Sequence, residues 1–268
     1  MFEVACDSST NSDQLHSLNL EAGTRTPIGD GVPPGGIESG CAGQGAIKPG
    51  TDWHYFNGNS SDLFRVNLIS GDVELVGQTM KDGSPVVLVA LSIDGFGNAY
   101  GLTRYNLYSL DLLTGALSEE KPADFVALTG GSPLAFAYDE KTGEFYVVED
   151  ANGGLYQLDV QTGDLTLLAS NPDFWIGSMA FDSIGRMWVN GEAFDVARIT
   201  LANFGDTAQW SVWDVLSPDV QSYSLVIRRP QTSGNENLAD TGASHIAPLV
   251  IVGLGAAVLA FAIRRRSA

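Results

Sequence analysis

The strongest constraint on this 268-residue chain is a nine-residue pattern that keeps returning. Residues 15–23 (LHSLNLEAG) reappear as 63–71 (LFRVNLISG), 107–115 (LYSLDLLTG) and 155–163 (LYQLDVQTG), and in worn form as 196–205 (VARITLANFG). Successive copies start 48, 44, 48 and 41 residues apart. Each copy alternates apolar and polar residues and then meets a glycine, which is a half-buried strand followed by a turn. A second alternating run follows the turn, as in 73–76 (VELV) and 165–168 (LTLL). Upstream lies another hairpin pattern: 134–139 (LAFAYD) with 143–148 (GEFYVV), 179–184 (MAFDSI) with 185–189 (GRMWV), and a matching stretch over 88–100. One repeat is therefore four strands in about 45 residues, the signature of a β-propeller blade. No amphipathic helical stretch separates the strands, which excludes a parallel sheet with crossover helices.

With strands named a to d from inside to outside, the first unit starts at Phe2 on a b strand and lacks its own a. The last unit ends near Leu216, and one extra strand follows at 223–228 (YSLVIR). That strand is expected to act as the missing a, joining the two ends of the chain and removing exposed sheet edges. The expected fold is all-β: five four-stranded blades over residues 1–230, with a larger ring that has lost upstream blades as the alternative. The Leu-Tyr-x-Leu-Asp-x-x-Thr-Gly units resemble those of bacterial secreted propeller domains, including ones on sortase-anchored proteins. The resemblance covers most of residues 1–230 and carries no catalytic residue across.

The C-terminus has a different character. Residues 246–263 (IAPLVIVGLGAAVLAFAI) are eighteen residues without a charge. As a helix they would reach about 27 Å, the short end of a membrane span. Arg264, Arg265 and Arg266 follow, and a cationic flank reads as cytoplasmic. Upstream lie a polar linker over 231–245 and, inside it, Leu238, Ala239, Asp240, Thr241 and Gly242. Pentapeptide, apolar span and basic tail in this order resemble the sorting signal of sortase-anchored surface proteins of Gram-positive bacteria. Ala239 stands where the usual signal has proline, which looks like the Leu-Ala-x-Thr-Gly variant of high-GC species. The resemblance implies cleavage between Thr241 and Gly242 and transfer of the Thr241 carbonyl to a cell-wall amine. It also implies sortase, membrane and then peptidoglycan as partners, and a cell-surface location. The alternative for Asp240-Thr241-Gly242, an aspartic protease triplet, needs a buried loop and a second carboxylate. Residues 1–30 show no signal peptide although the tail implies export, so either the start is truncated, the favoured reading, or misassigned, or the tail is vestigial.

Composition narrows the function. With 32 acidic and 14 basic residues the formal charge is −18, the wrong sign for a phosphate-backbone binder, so nucleic acid is excluded as a partner. His16, His54 and His245 have no metal-ligand spacing, no Gly-x-Ser-x-Gly elbow occurs, and no metal or cofactor is implied. Gly95, Gly97 and Gly101 mimic a dinucleotide loop but open a strand instead of a helix, so they read as an a–b turn. Asp94, Asp139 and Asp182 recur before such turns and read as turn caps, and Asn67, Asp111 and Asp159 read as polar residues beside the c–d turn. His54 reads as a packed b-strand residue.

The b–c and d–a connections should share one rim, where Asp150, Asn152, Asp173, Phe174 and Trp175 mix acids, amides and aromatics suited to a glycan or a host protein. Cys6 and Cys41 fall on one rim of neighbouring units, and export makes them a candidate disulfide. The function expected is a non-enzymatic, surface-anchored recognition or adhesion module. The alternative is an extracellular propeller lyase or hydrolase acting on a glycan, recognisable by convergent acids with an Arg, a His or a metal in the central channel.

Overall fold

The computed structural model describes residues 1–7, 12–30, 43–58, 60–170, 176–191, 194–206, 209, 211–213 and 220–228. Chain contacts separate residues 1–231 from 232–268. The linker, the pentapeptide and the apolar span at 246–263 lie outside the described residues, among which no helix is long and apolar enough to cross a membrane.

Strands form where the alternating pattern places them. Blade 1 contains β1 (Phe2–Asp7), β2 (Ser12–Asn19) and β3 (Thr24–Pro27). Blade 2 is β4 (Ala46–Ile47), β5 (Trp53–Asn57), β6 (Asp62–Asn67) and β7 (Val73–Gln78). A small hairpin, β8 (Met80–Lys81) and β9 (Ser84–Pro85), precedes blade 3: β10 (Ala90–Ile93), β11 (Ala99–Leu102), β12 (Asn106–Leu110) and β13 (Leu117–Pro122). A short helix, α1 (Phe125–Thr129), then leads into blade 4, which is β14 (Pro133–Asp139), β15 (Glu144–Glu149), β16 (Gly154–Leu158) and β17 (Leu165–Ser170). Blade 5 is β18 (Ile176–Phe181), β19 (Met187–Gly191), β20 (Phe194–Ile199) and β21 (Ser211–Trp213), and β22 (Val220–Val226) follows it. Within each of blades 2 to 5 the strands pair in sequence order, and all neighbours are antiparallel.

The sheet of blade 1 runs β22-β1-β2-β3, so the last strand supplies the inner strand of the first blade. Phe2 faces Val226 and Asp7 faces Val220. The ring therefore closes at five blades, and the closing strand starts three residues earlier than its sequence pattern suggested. The hairpin β8–β9 and the helix α1 are additions to the expected scheme. The helix follows from local chemistry: Asp124 accepts the Ala127 N–H at 2.9 Å as N-cap, and Gly130 ends the helix at φ +78°.

The core lies between blades. Phe56, Phe64 and Val66 of blade 2 pack on Val4 and Leu15 of blade 1, and Leu155 and Tyr146 of blade 4 share a cluster with Met179 and Met187 of blade 5. The turns behave as their residues dictate. Asp94 Oδ1 accepts the N–H groups of Phe96 and Asn98, and Asp182 Oδ1 accepts those of Ile184 and Arg186. Asn67, Asp111 and Asp159 do the same for the c–d turns. The glycine closing each c–d turn has a second duty. Gly71, Gly115 and Gly163 sit at φ +78°, +78° and +86°, and a Cβ on each would strike the carbonyl of Ile28, Gln78 or Pro122, where the outer strand of the preceding blade ends. The repeat glycine is thus also the point where one blade rests on the next.

Candidate functional site

Strands b and c of a blade meet on the same rim as the d-to-a connections. Over blades 3 and 4 that rim is organised around α1. The N–H groups of Ala123 and Phe125 donate to the carbonyls of Tyr105 and Arg104, in the b–c turn of blade 3, at 2.8 and 3.1 Å. On its other side the Thr129 carbonyl accepts Asn152 Nδ2, from the b–c turn of blade 4, at 3.3 Å. Phe125 is fully buried, edge-on to Tyr156, and nails the helix down. Burial and the nearby Glu149 carboxylate raise the Tyr156 pKa.

The blade 4 turn is held by its own acids. Buried Glu149 accepts the N–H groups of Ala151, Asn152 and Gly154 at 2.7, 3.0 and 3.0 Å. Asp150 accepts the Ser132 N–H at 2.6 Å, tying the turn to the start of strand a. Asp150 and Asn152, named from sequence as candidate ligand contacts, are exposed on this rim, and each also spends one side-chain atom on the scaffold. Asp173, Phe174 and Trp175 lie outside the described residues, as do Cys41, the Cys6 side chain and the five residues from Leu238 to Gly242. Sequence reasoning missed the apolar part of the rim: Tyr105, Val126 and Leu128 are 54, 37 and 65 % exposed beside the polar turn. Asp124 followed six residues later by Gly130 was the legible signal for the helix that carries two of them.

The ring axis holds a different arrangement. The Gln44 amide pairs with the backbone of Met179 through both its atoms, at 3.0 and 3.1 Å, and its own carbonyl accepts the Leu91 N–H. One residue, by its side chain and its backbone, thereby joins the segment leading into blade 2 to blades 5 and 3. The closing strand is clasped on both flanks. Ser224 Oγ accepts the Gly45 N–H and lies 3.0 Å from His54 Nε2. Ser178 Oγ accepts the Leu225 N–H and donates to Asn190. A Cβ at Gly45 would meet the His54 ring at 2.8 Å, so glycine is needed for this approach.

The Ser224–His54 contact has the first two members of a nucleophilic triad. Ser224, however, already accepts the Gly45 N–H, both side chains are fully buried, and among the described residues no carboxylate is hydrogen-bonded to His54 Nδ1. Burial pulls the His54 pKa down to about 3, so the ring is a neutral packing element. Among the described residues no three His, Cys, Asp or Glu side chains converge on a metal-sized site. The described axial groups are amides, hydroxyls, carbonyls and one histidine.

Elsewhere in blade 1 the Glu3 carboxylate is fully buried against Arg25, 2.8 Å away. Arg25 Nη2 and the Gln14 carbonyl lie 2.9 and 3.0 Å from His16 Nδ1, and the tautomer selects between them: an unprotonated Nδ1 accepts from Arg25, a protonated one donates to Gln14. Burial and then the Arg25 charge lower the His16 pKa to about 4.

No family model matches the chain, and no curated protein matches it. Solved structures do. A chain of the nidogen/laminin complex is 13 % identical, with a TM-score of 0.54 over 85 % of this chain and 81 % of that one. A Bacteroides thetaiotaomicron protein of unknown function is 20 % identical, with a TM-score of 0.52 over 69 % of this chain and 53 % of that one. A gluconolactonase of Xanthomonas campestris overlays with a TM-score of 0.49 at 13 % identity over 79 % of this chain and 75 % of that one. Identities this low show the fold alone: the chain is similar to the first two as an all-β propeller, here of five blades.

Proposed function

We propose that this propeller is a surface-displayed recognition module, tethered through residues 231–268 and presenting its b–c and d–a rim to a glycan or protein ligand. One observation carries the reading. Strand β22 pairs Val220 with Asp7, at the b–c rim, and Val226 with Phe2, at the opposite rim. The chain therefore leaves the ring at Ile227 and Arg228 on the a–b rim. That exit lies on the rim opposite Tyr105, Leu128, Asp150 and Asn152, and rim loops on a rigid scaffold are where binding concentrates. The sorting-signal pattern supports the nature of the tether, with sortase and peptidoglycan as its partners. The catalytic alternative, a lyase or hydrolase, calls for convergent acids beside an Arg or His, whereas the hydrogen bonds around Gln44, Ser178 and Ser224 involve no acid.

The test compares two exposed positions on opposite rims. Leu128 is 65 % exposed on the b–c side, and Phe96 is 90 % exposed in the a–b turn of blade 3. On intact cells Leu128→Cys should react with a bulky impermeant maleimide faster than Phe96→Cys, with wild type correcting for Cys6 and Cys41. In detergent-solubilised protein the order should disappear or reverse. Equal protection of the two sites on cells would end the proposal. Processing is tested separately: Thr241→Ala should move the protein from the wall fraction to the membrane fraction, and unchanged wall linkage would remove sortase from the account.

A further inference from the structure

Asparagine followed by glycine occurs three times in the chain, at Asn57-Gly58, Asn152-Gly153 and Asn190-Gly191. In such a pair the glycine nitrogen can attack the asparagine Cγ, because the following residue has no Cβ to stand in the way. All three pairs fall at or just beyond the end of a b strand. The fold treats them differently, and two are locked. Asn57 is buried, and its Nδ2 donates to the Leu88 and Gly58 carbonyls. The Gly58 N–H in turn donates to the Asp62 carbonyl at 3.3 Å. Asn190 is also buried, its Oδ1 accepts from Ser178 Oγ at 2.9 Å, and Gly191 sits in the ladder opposite Ile176 and Phe194.

The third pair is open. Asn152 is exposed in the b–c turn of blade 4, and its side-chain amide makes one long bond, from Nδ2 to the Thr129 carbonyl at 3.3 Å. Glu149 takes the N–H groups of Ala151, Asn152 and Gly154 and passes over Gly153. Among the described residues no acceptor takes the Gly153 N–H. Gly153 stands at φ +57°, so the turn itself calls for the small residue that the reaction needs. The attacking nitrogen is thus uncommitted, and the amide it attacks faces solvent in the turn that also carries Asp150.

We propose that Asn152-Gly153 is a self-modifying site at which this rim exchanges an amide for a carboxylate, with water as the only co-substrate. The Gly153 nitrogen bonds to Asn152 Cγ, the Cγ–Nδ2 bond breaks, and the proton given up by the Gly153 nitrogen leaves on ammonia. Water then opens the cyclic imide at either carbonyl, giving aspartate or its isomer isoaspartate. Either product carries a new carboxylate near Asp150 and lacks the Nδ2 donor. A carboxylate cannot donate to the Thr129 carbonyl, so the side-chain tie between the turn and α1 is lost. Anything that meets this rim meets one more negative charge on aged protein than on fresh. The chemistry does not depend on the recognition role proposed above.

The test ages the full chain, in detergent and at physiological temperature and pH, in water enriched in heavy oxygen. Peptide mass spectrometry follows the three pairs. Heavy oxygen should enter at Asn152 at least about tenfold faster than at Asn57 or Asn190, because buried sites react only through rarely populated opened forms. In denaturing urea, where burial no longer separates the pairs, the three rates should converge to within about threefold. Asn152→Gln, whose longer side chain must close a larger ring, should lose the uptake at that position and leave the other two sites unchanged. Native Asn152 reacting no faster than Asn57 or Asn190 would overturn the proposal. So would a gap between the sites that persists undiminished in urea, since it would then trace to local sequence and not to the fold.

Discussion

Two glycines of blade 4 separate the cost of a backbone conformation from the cost of a blade contact. Gly143 ends the a–b turn at φ +77°, with Tyr138 Oη, 4.0 Å away, as the one neighbour a Cβ would meet. Gly163 ends the c–d turn at φ +86°, but its Cβ would run into the Pro122 carbonyl, with the Pro122 carbonyl carbon at 3.1 Å. An alanine in the left-handed region costs about 1–2 kcal/mol. Loss of unfolded-chain freedom returns about 0.4–1 kcal/mol. Gly143→Ala should therefore destabilise by about 0.5–1 kcal/mol. Gly163→Ala bears the same cost and must also displace the backbone at the end of β13, which has no rotamer to escape into. Overpacking of that kind adds about 1–3 kcal/mol, for a total of about 2–4 kcal/mol. In a ring of this size a difference of about 2 kcal/mol corresponds to roughly 4–8 °C in Tm. Urea unfolding followed by tryptophan fluorescence measures both variants. If they agree within about 0.5 kcal/mol, the repeat glycine is only a turn residue and the account of blade-on-blade contact is wrong. Gly115→Ala should behave as Gly163→Ala does, because the Gln78 carbonyl occupies the equivalent place.

Ser224→Ala removes the partner of the buried Gly45 N–H and of His54 Nε2 at the closing strand; unsatisfied buried groups cost about 1–3 kcal/mol each. Destabilisation of about 2–4 kcal/mol in urea is expected, and a change below about 0.5 kcal/mol would show that the clasp does not hold the ring shut. His54 gives a pH dependence of definite sign. Its folded pKa, about 3, lies below the ordinary 6.5, so between those values the unfolded chain binds the proton and the folded one does not. Stability should fall on acidification from pH 7 to pH 5 by about 2 kcal/mol from this residue, and His16 acts in the same direction. His54→Gln should flatten that slope; an unchanged slope in the variant would place the buried proton-binding group elsewhere.

The candidate rim was legible only in part. The polar b–c turn around Asp150 and Asn152 shows in the chain as a Gly- and Asn-rich break between two strand patterns. That Asp150 reaches Ser132 and Asn152 reaches Thr129 does not, because those partners lie eighteen and twenty-three residues away and depend on where the next strand docks. Gln44 was invisible for a stronger reason. Its side-chain partner, Met179, is 135 residues distant, and a lone glutamine between two glycines has no period to betray it. Arg186 and Arg198 likewise match no local motif: they stand 5.8 and 5.6 Å from the Trp188 ring centre, and strand register places Arg198 opposite that tryptophan.

The chain by itself determined what depends on neighbours along the backbone. Alternation placed most strands, Asn and Asp before Thr-Gly or Ser-Gly placed the turns, and the recurring period grouped strands in fours and identified blades. These are short-range preferences repeated often enough to be unambiguous. The tertiary structure decided the rest. The closure at five blades follows from the pairing of Val226 with Phe2, a contact between the two ends of the ring. The second role of the repeat glycine follows from where the preceding blade's outer strand ends. The hydrogen bonds of Gln44, Ser178 and Ser224 and the rim at which the closing strand ends arise between strands that are distant in sequence. Packing and register create such features, and no local pattern records them.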